Sequence, residues 1–144
     1  LRRQRQMCIR DRCMLDLSKR TAVDLRAVAE SHNDAIVECP SPAEKPRKVP
    51  APDAEPVLTH KVAYSDIDFN RHVNTMRYIE MMLDVLPIER FAEERPLRLD
   101  INFLKEARYG QTLSVALEER GSQTLVEIRS DAGAALCRGA FEWR

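Results

Sequence analysis

Between Asn74 and Pro87 the chain carries one helical stripe of apolar side chains, and nearly everything after it alternates. Met76, Ile79, Met82, Leu83 and Leu86 recur at spacings of three or four, the mark of one buried helix face. Asn74 or Thr75 can cap the start, and Pro87 ends the run. Residues 57–64 before it read as a strand entering a polar loop. After it, Leu97, Leu99, Ile101 and Phe103 alternate, and so do Leu113, Val115 and Leu117. Gly121-Ser122 supplies a turn before Leu125-Val126-Glu127-Ile128, and Gly133 precedes a last strand through Leu136, Phe141 and Trp143. Consecutive strands joined by short turns pair antiparallel. A lone helix can bury its stripe only on that sheet. The expected class is α+β, an antiparallel sheet wrapped around one long central helix.

The N-terminal side is organised differently. Six of the 8 prolines, Pro40, Pro42, Pro46, Pro50, Pro52 and Pro56, fall within 40–56, which reads as a linker. The folded domain is then expected over 57–144. Residues 13–25 alternate at Met14-Leu15-Asp16-Leu17 like a strand end, and 26–34 can form a short helix. Residues 1–12 are crowded with Arg2, Arg3, Arg5, Arg10 and Arg12 and read as a disordered or non-native end.

Composition excludes several classes. The formal net charge is +0, which argues against a general nucleic-acid binder. No apolar run approaches the roughly 18 residues of a membrane span. The 4 cysteines, Cys8, Cys13, Cys39 and Cys137, match no zinc or haem spacing and no disulfide framework. A soluble, cytoplasmic protein is expected.

Chemistry is concentrated in the loop before the helix. Asp66, Asp68, Asn70, His72 and Asn74 occupy every second position, and in an extended segment alternate residues share a face. Asp68, Asn70 and His72 are therefore expected to converge. His72 also precedes the helix start, where free N–H groups carry partial positive charge and suit a developing oxyanion. Asp66 and Asn74 read as a turn-former and a cap.

The run Ser65-Asp66-Ile67-Asp68-Phe69-Asn70-Arg71-His72-Val73-Asn74-Thr75-Met76-Arg77-Tyr78-Ile79 resembles the signature of the acyl-acyl-carrier-protein thioesterases, the plant plastid enzymes and their bacterial relatives. A second block, Asn102-Phe103-Leu104-Lys105-Glu106-Ala107-Arg108-Tyr109-Gly110, is similar to the family's strand ending in a catalytic glutamate. The likeness covers about 13–144 and is strongest over 57–110. It implies a hot-dog fold and hydrolysis of a fatty acyl thioester, with acyl carrier protein as partner and no cofactor or metal. It also implies a catalytic set of Asp68, Asn70, His72 and Glu106. Glu106, helped by His72, would activate water. Asn70 and the helix start would polarise the thioester oxygen, and Asp68 would orient the set.

Three departures qualify the likeness. Ala107 stands where many plant members carry a cysteine, so a thiol mechanism is not expected, and Cys137 reads as a small core residue. Thr75 replaces the family's second asparagine. Strand parity puts Glu106 on the polar face unless a bulge at Phe103-Leu104 re-aims it. Family members carry two hot-dog repeats. Here 13–39 reads as a remnant of the first and 57–144 as the second, so a C-terminal fragment that forms a homodimer or needs its missing repeat is expected. Met76, Met81 and Met82 are candidate tunnel-lining side chains, with core packing the plainer reading. Arg77, Arg90, Arg95 and Arg98 are candidate carrier-protein contacts, with a solvated surface the plainer reading. The alternatives are an acyl-CoA thioesterase on the same fold or an inactive acyl-binding or interaction module.

Overall fold

The computed structural model describes residues 15, 16, 18, 19, 21–24, 26–31 and 47–144. The arginine-rich start, Cys8, Cys13, Cys39, Pro40, Pro42 and Pro46 lie outside the described residues. The chain divides into a unit over 1–43 and a unit over 44–144. In the first unit, β1 (Leu15–Asp16) pairs antiparallel with β2 (Thr21–Ala22). The Asp16 carboxylate accepts the N–H groups of Ser18 and Lys19 and so closes the turn between them. Helix α1 (Arg26–Ser31) follows.

The second unit contains β3 (Pro56–Lys61), α2 (Thr75–Leu83), α3 (Arg90–Glu93), β4 (Pro96–Phe103), β5 (Thr112–Arg120), β6 (Gln123–Ser130) and β7 (Ala135–Trp143). The five strands form one antiparallel sheet in the order β3-β5-β6-β7-β4. Helix α2 packs on one face of it, so the α+β hot-dog expectation holds. Register puts Leu113, Val115, Val126, Ile128, Cys137 and Phe141 on the helix side, and all are buried. Gly139 leaves room for the Met82 thioether. A Cβ there would lie 2.6 Å from Met82 Sδ, inside contact distance, so a larger residue would force that side chain to move.

The helix differs from expectation in length and phase. It ends at Leu83 and a turn carries the chain to Leu86, while α3 is an extra element. Met76 is 57% exposed, whereas Tyr78, Met81, Met82 and Leu86 are buried. The buried stripe therefore runs 78, 81, 82 and 86, with Val85 half-buried against it, the ordinary spacing of a helix face. Tyr78 was missing from the expected stripe because its hydroxyl reads as polar. Met81 and Met82 belong to the core. Arg90 is not a solvated cation: it sits 4.5 Å over the Trp143 ring and bonds Glu119 and Thr124, locking α3 to the sheet.

The proline-rich segment is also corrected where it is described. Residues 47–55 lie along the outer face of the sheet, opposite α2, with Val49 and Pro52 buried. Arg47 N–H donates to Asp100, Val49 N–H to Asn102 and Asp53 N–H to Glu118. Arg129 donates to the carbonyls of Pro52 and Ala54. A segment poor in backbone donors thus finds its partners among outward side chains of the sheet. The compact unit starts before 57.

Under this strap the outer face is charged and paired. Glu127 lies between Arg129 at 2.6 Å and Arg138 at 2.5 Å, and Asp100 pairs with Arg98 at 2.8 Å. Burial pushes the Glu127 carboxyl up, but the two guanidiniums outweigh it and hold the carboxyl below its usual range. The Arg98 guanidinium holds Asp100 down against its burial. A carboxyl lowered on folding stabilises the fold above its unfolded pKa, near pH 4, and that contribution is lost as pH falls through the folded value. Urea midpoints should therefore drop below about pH 4. Glu127→Gln should cost about 1–3 kcal/mol at pH 7 and shrink the acid drop. Equal acid drops in the two proteins would contradict this assignment.

Candidate functional site

The loop between β3 and α2 is built by its acidic residues. A 3-10 turn, Tyr64–Asp66, ends in a buried carboxylate. Asp66 accepts the Ala63 N–H at 2.7 Å and faces His60 Nε2 at 2.8 Å, with Arg77 at 3.7 Å. Burial raises its pKa, but the Ala63 N–H, His60 and Arg77 together bring it below the ordinary value. Its carbonyl accepts the Asn74 N–H, which draws the two ends of the loop together. Asn74 caps α2 by accepting the Met76 N–H at 2.9 Å.

Between those ends the chain does not run extended. Asp68 N–H donates to the His72 carbonyl at 2.9 Å, and Arg71 N–H to the Asp68 carbonyl at 3.0 Å. Arg71 takes a positive φ of 65°. The Asp68 carboxylate accepts the N–H groups of Asn70 and His72 at 2.9 and 3.2 Å. This is a tight Asx-type turn. It corrects the expectation that Asp68, Asn70 and His72 converge by strand alternation. Asp68 reaches the backbone of His72, and Asn70 is exposed at the turn's tip, with no side-chain hydrogen bond to either among the described residues.

The turn delivers His72 to β4's continuation. Val73 N–H donates to the Ala107 carbonyl at 2.9 Å, and His72 bridges to Arg108. Beyond Phe103 the ladder carries an extra residue: Leu104 and Lys105 both donate to the Leu136 carbonyl, at 2.8 and 3.1 Å. This is a bulge, and after it Glu106 no longer follows the parity of Asp100 and Asn102. Glu106 Oε2 lies 3.1 Å from His72 Nε2. The pair sits on a cleft of about 250 Å³ whose wall includes Val73, Thr75, Tyr78, Phe103 and Leu104. Thr75 is the first residue of α2, so the positive end of that helix borders the same cleft.

An imidazole, a carboxylate and a helix start on an apolar-walled cleft can move a proton and stabilise an oxyanion. Among the described residues no cysteine lines this cleft. Ala107 is wholly buried, and burial pushes the Cys137 thiol up to about 12, far from a thiolate at neutral pH. No group of His, Cys, Asp and Glu among the described residues has the arrangement of a metal site. Sequence reasoning assigned no role to His60, whose inward place on β3 six residues before Asp66 was its signal. Nor did it assign one to Tyr78, which accepts the Ala107 N–H. Arg77 is held by Asp66 and Glu80 and Arg98 by Asp100, while the Arg95 backbone pairs with Arg144.

Comparison with known proteins agrees with this geometry. The family model described as the acyl-ACP thioesterase C-terminal domain matches residues 51–144. A chloroplastic acyl-[acyl-carrier-protein] hydrolase of Cuphea viscosissima is 30% identical over 87 residues, covering 56% of this chain and 21% of that protein. The crystal structure of an acyl-ACP thioesterase from Bacteroides thetaiotaomicron superposes with a TM-score of 0.77 and 31% identity, over 90% of this chain and 53% of that one. The 12:0-ACP thioesterase from Umbellularia californica shares the fold at 18% identity and a TM-score of 0.71, over 90% of this chain and 52% of its own. The chain thus spans about half the length of these solved structures and about a fifth of the plant hydrolase. The chain belongs to the acyl-acyl-carrier-protein thioesterase family and carries its C-terminal domain.

Proposed function

We propose that this chain hydrolyses fatty acyl thioesters of acyl carrier protein, releasing free fatty acid and the carrier thiol, as a step of fatty acid biosynthesis in the cytoplasm. The observation that carries the reading is the His72 Nε2 to Glu106 Oε2 contact of 3.1 Å at the start of α2. Glu106 is the general base. It takes a proton as water attacks the thioester carbon, and His72 holds the carboxylate in place and shares that proton. Negative charge then develops on the carbonyl oxygen, where the N-terminal end of α2 stabilises it; Asn70, exposed at the turn's tip, does not line the cleft. Collapse breaks the carbon–sulfur bond, and the leaving sulfur takes up the proton. The product is a carboxylic acid and a thiol, so atoms balance with water as the only co-reactant. Asp68 positions His72 by accepting its N–H. No cofactor takes part.

The test is hydrolysis by the purified chain of matched acyl-carrier-protein and acyl-CoA substrates. Carrier-linked substrate should be preferred. His72→Ala and Glu106→Gln should each lower kcat about 10²- to 10⁴-fold. Preference for acyl-CoA would move the chain to a different branch of hot-dog thioesterases, and no hydrolysis of either would contradict activity of this chain by itself.

We further propose that a second hot-dog unit, a first repeat or a second copy, covers the β4 edge. Phe103 points to the helix side of the sheet yet is 52% exposed, Leu97 at the irregularity near the start of β4 is 59% exposed, and no strand lies beyond β4 among the described residues. Sedimentation of this chain should show association that grows with concentration. A sharp monomer at every concentration would count against self-association.

A further inference from the structure

One buried polar side chain of the cleft has no task in that reaction. Tyr78 is 4% exposed, sits on α2 and lines the cleft. Its hydroxyl oxygen accepts the Ala107 N–H at 3.0 Å, and its ring meets Phe103 edge-on with centroids 5.9 Å apart. Tyr78 therefore touches the segment on both sides of the bulge. The opposite edge of residue 107 is held as well, because the Ala107 carbonyl accepts the Val73 N–H at 2.9 Å.

Glu106 needs such help. Its side chain is 61% exposed, and among the described residues its carboxylate is paired with His72 alone. An exposed, rotamer-rich side chain is ordered at an entropic cost, which falls when its backbone is fixed. The backbone after Glu106 is fixed by Val73, the neighbour of His72, and by Tyr78. His72, Val73, Ala107 and Glu106 form a short closed circuit, and the Tyr78 hydroxyl is the side-chain link that pins it to α2.

We infer that Tyr78 is a positioning residue: its hydroxyl oxygen fixes the Ala107 backbone and thereby holds Glu106 against His72. This rests on the reaction proposed above. Phenylalanine keeps the ring and its contact with Phe103 but cannot accept the Ala107 N–H.

The test pairs amide hydrogen exchange with kinetics, in the unvaried chain and in Tyr78→Phe. Ala107 should exchange slowly in the unvaried chain and about tenfold or more faster in the variant, with β6 amides unchanged. The variant's kcat should fall about 10- to 100-fold while KM stays within about twofold. A merely structural role would speed exchange throughout the sheet and leave kcat per folded molecule unchanged, and that result would overturn the inference. Rapid Ala107 exchange in the unvaried chain would also overturn it, and this arm needs no variant to fold. A chain with no thioesterase activity would sink the functional reading instead, and the exchange arm would still decide whether Tyr78 holds Ala107.

Discussion

One carbonyl, that of Leu136, accepts from two successive N–H groups, Leu104 and Lys105, and the site depends on that irregularity. Along β4 Leu99, Ile101 and Phe103 face α2, and Asp100 and Asn102 face the strap on the other side. In a regular strand Glu106 would share the side of Asp100, across the sheet from His72. The extra residue of the bulge resets the parity. It leaves Glu106 beside His72 and sends the Ala107 backbone to Val73. A strong, well-paired sheet supplies the rigid frame, and one local fault in it aims the carboxylate.

The acids of the loop divide their work accordingly. Asp66 and Asp68 turn their carboxylates to backbone N–H groups, His60 and Arg77 rather than to the cleft. Their charge is used to bend the chain sharply enough that His72 arrives opposite Glu106. The cost of that bend shows at Arg71, which holds a left-handed backbone that a non-glycine residue seldom adopts. His72 and Glu106 face each other on the cleft, which Lys105 also lines, next to the positive end of α2. On the far face, ion pairs and a donor-poor proline strap satisfy each other, so that Asp100 and Glu127 are buried without being unpaired.

Much of this was legible in the residues. Alternation placed the four later strands, and the lone helix required a sheet to cover it. The adjacency of Phe103 and Leu104 signalled the bulge, because two large apolar residues in succession break a strand's parity. Other features are tertiary and left no local trace. The strap looks like a linker because its partners, Asp100, Asn102, Glu118 and Arg129, lie far along the chain. The helix face was misphased because Tyr78 reads as polar, although it is buried by virtue of a bond to a backbone amide. The spacing of Asp68, Asn70 and His72 signals a polar loop equally well whether it is extended or turned. Only the two N–H bonds to the Asp68 carboxylate decide for the turn.

The central claim is that His72 and Glu106 act as one unit on a thioester. The most direct measurement is a kinetic cycle of His72→Ala, Glu106→Gln and the double variant on one acyl-carrier-protein substrate. A unit predicts that the double variant is no slower than the slower single one. Rate losses that multiply would show two independent contributions and contradict the account.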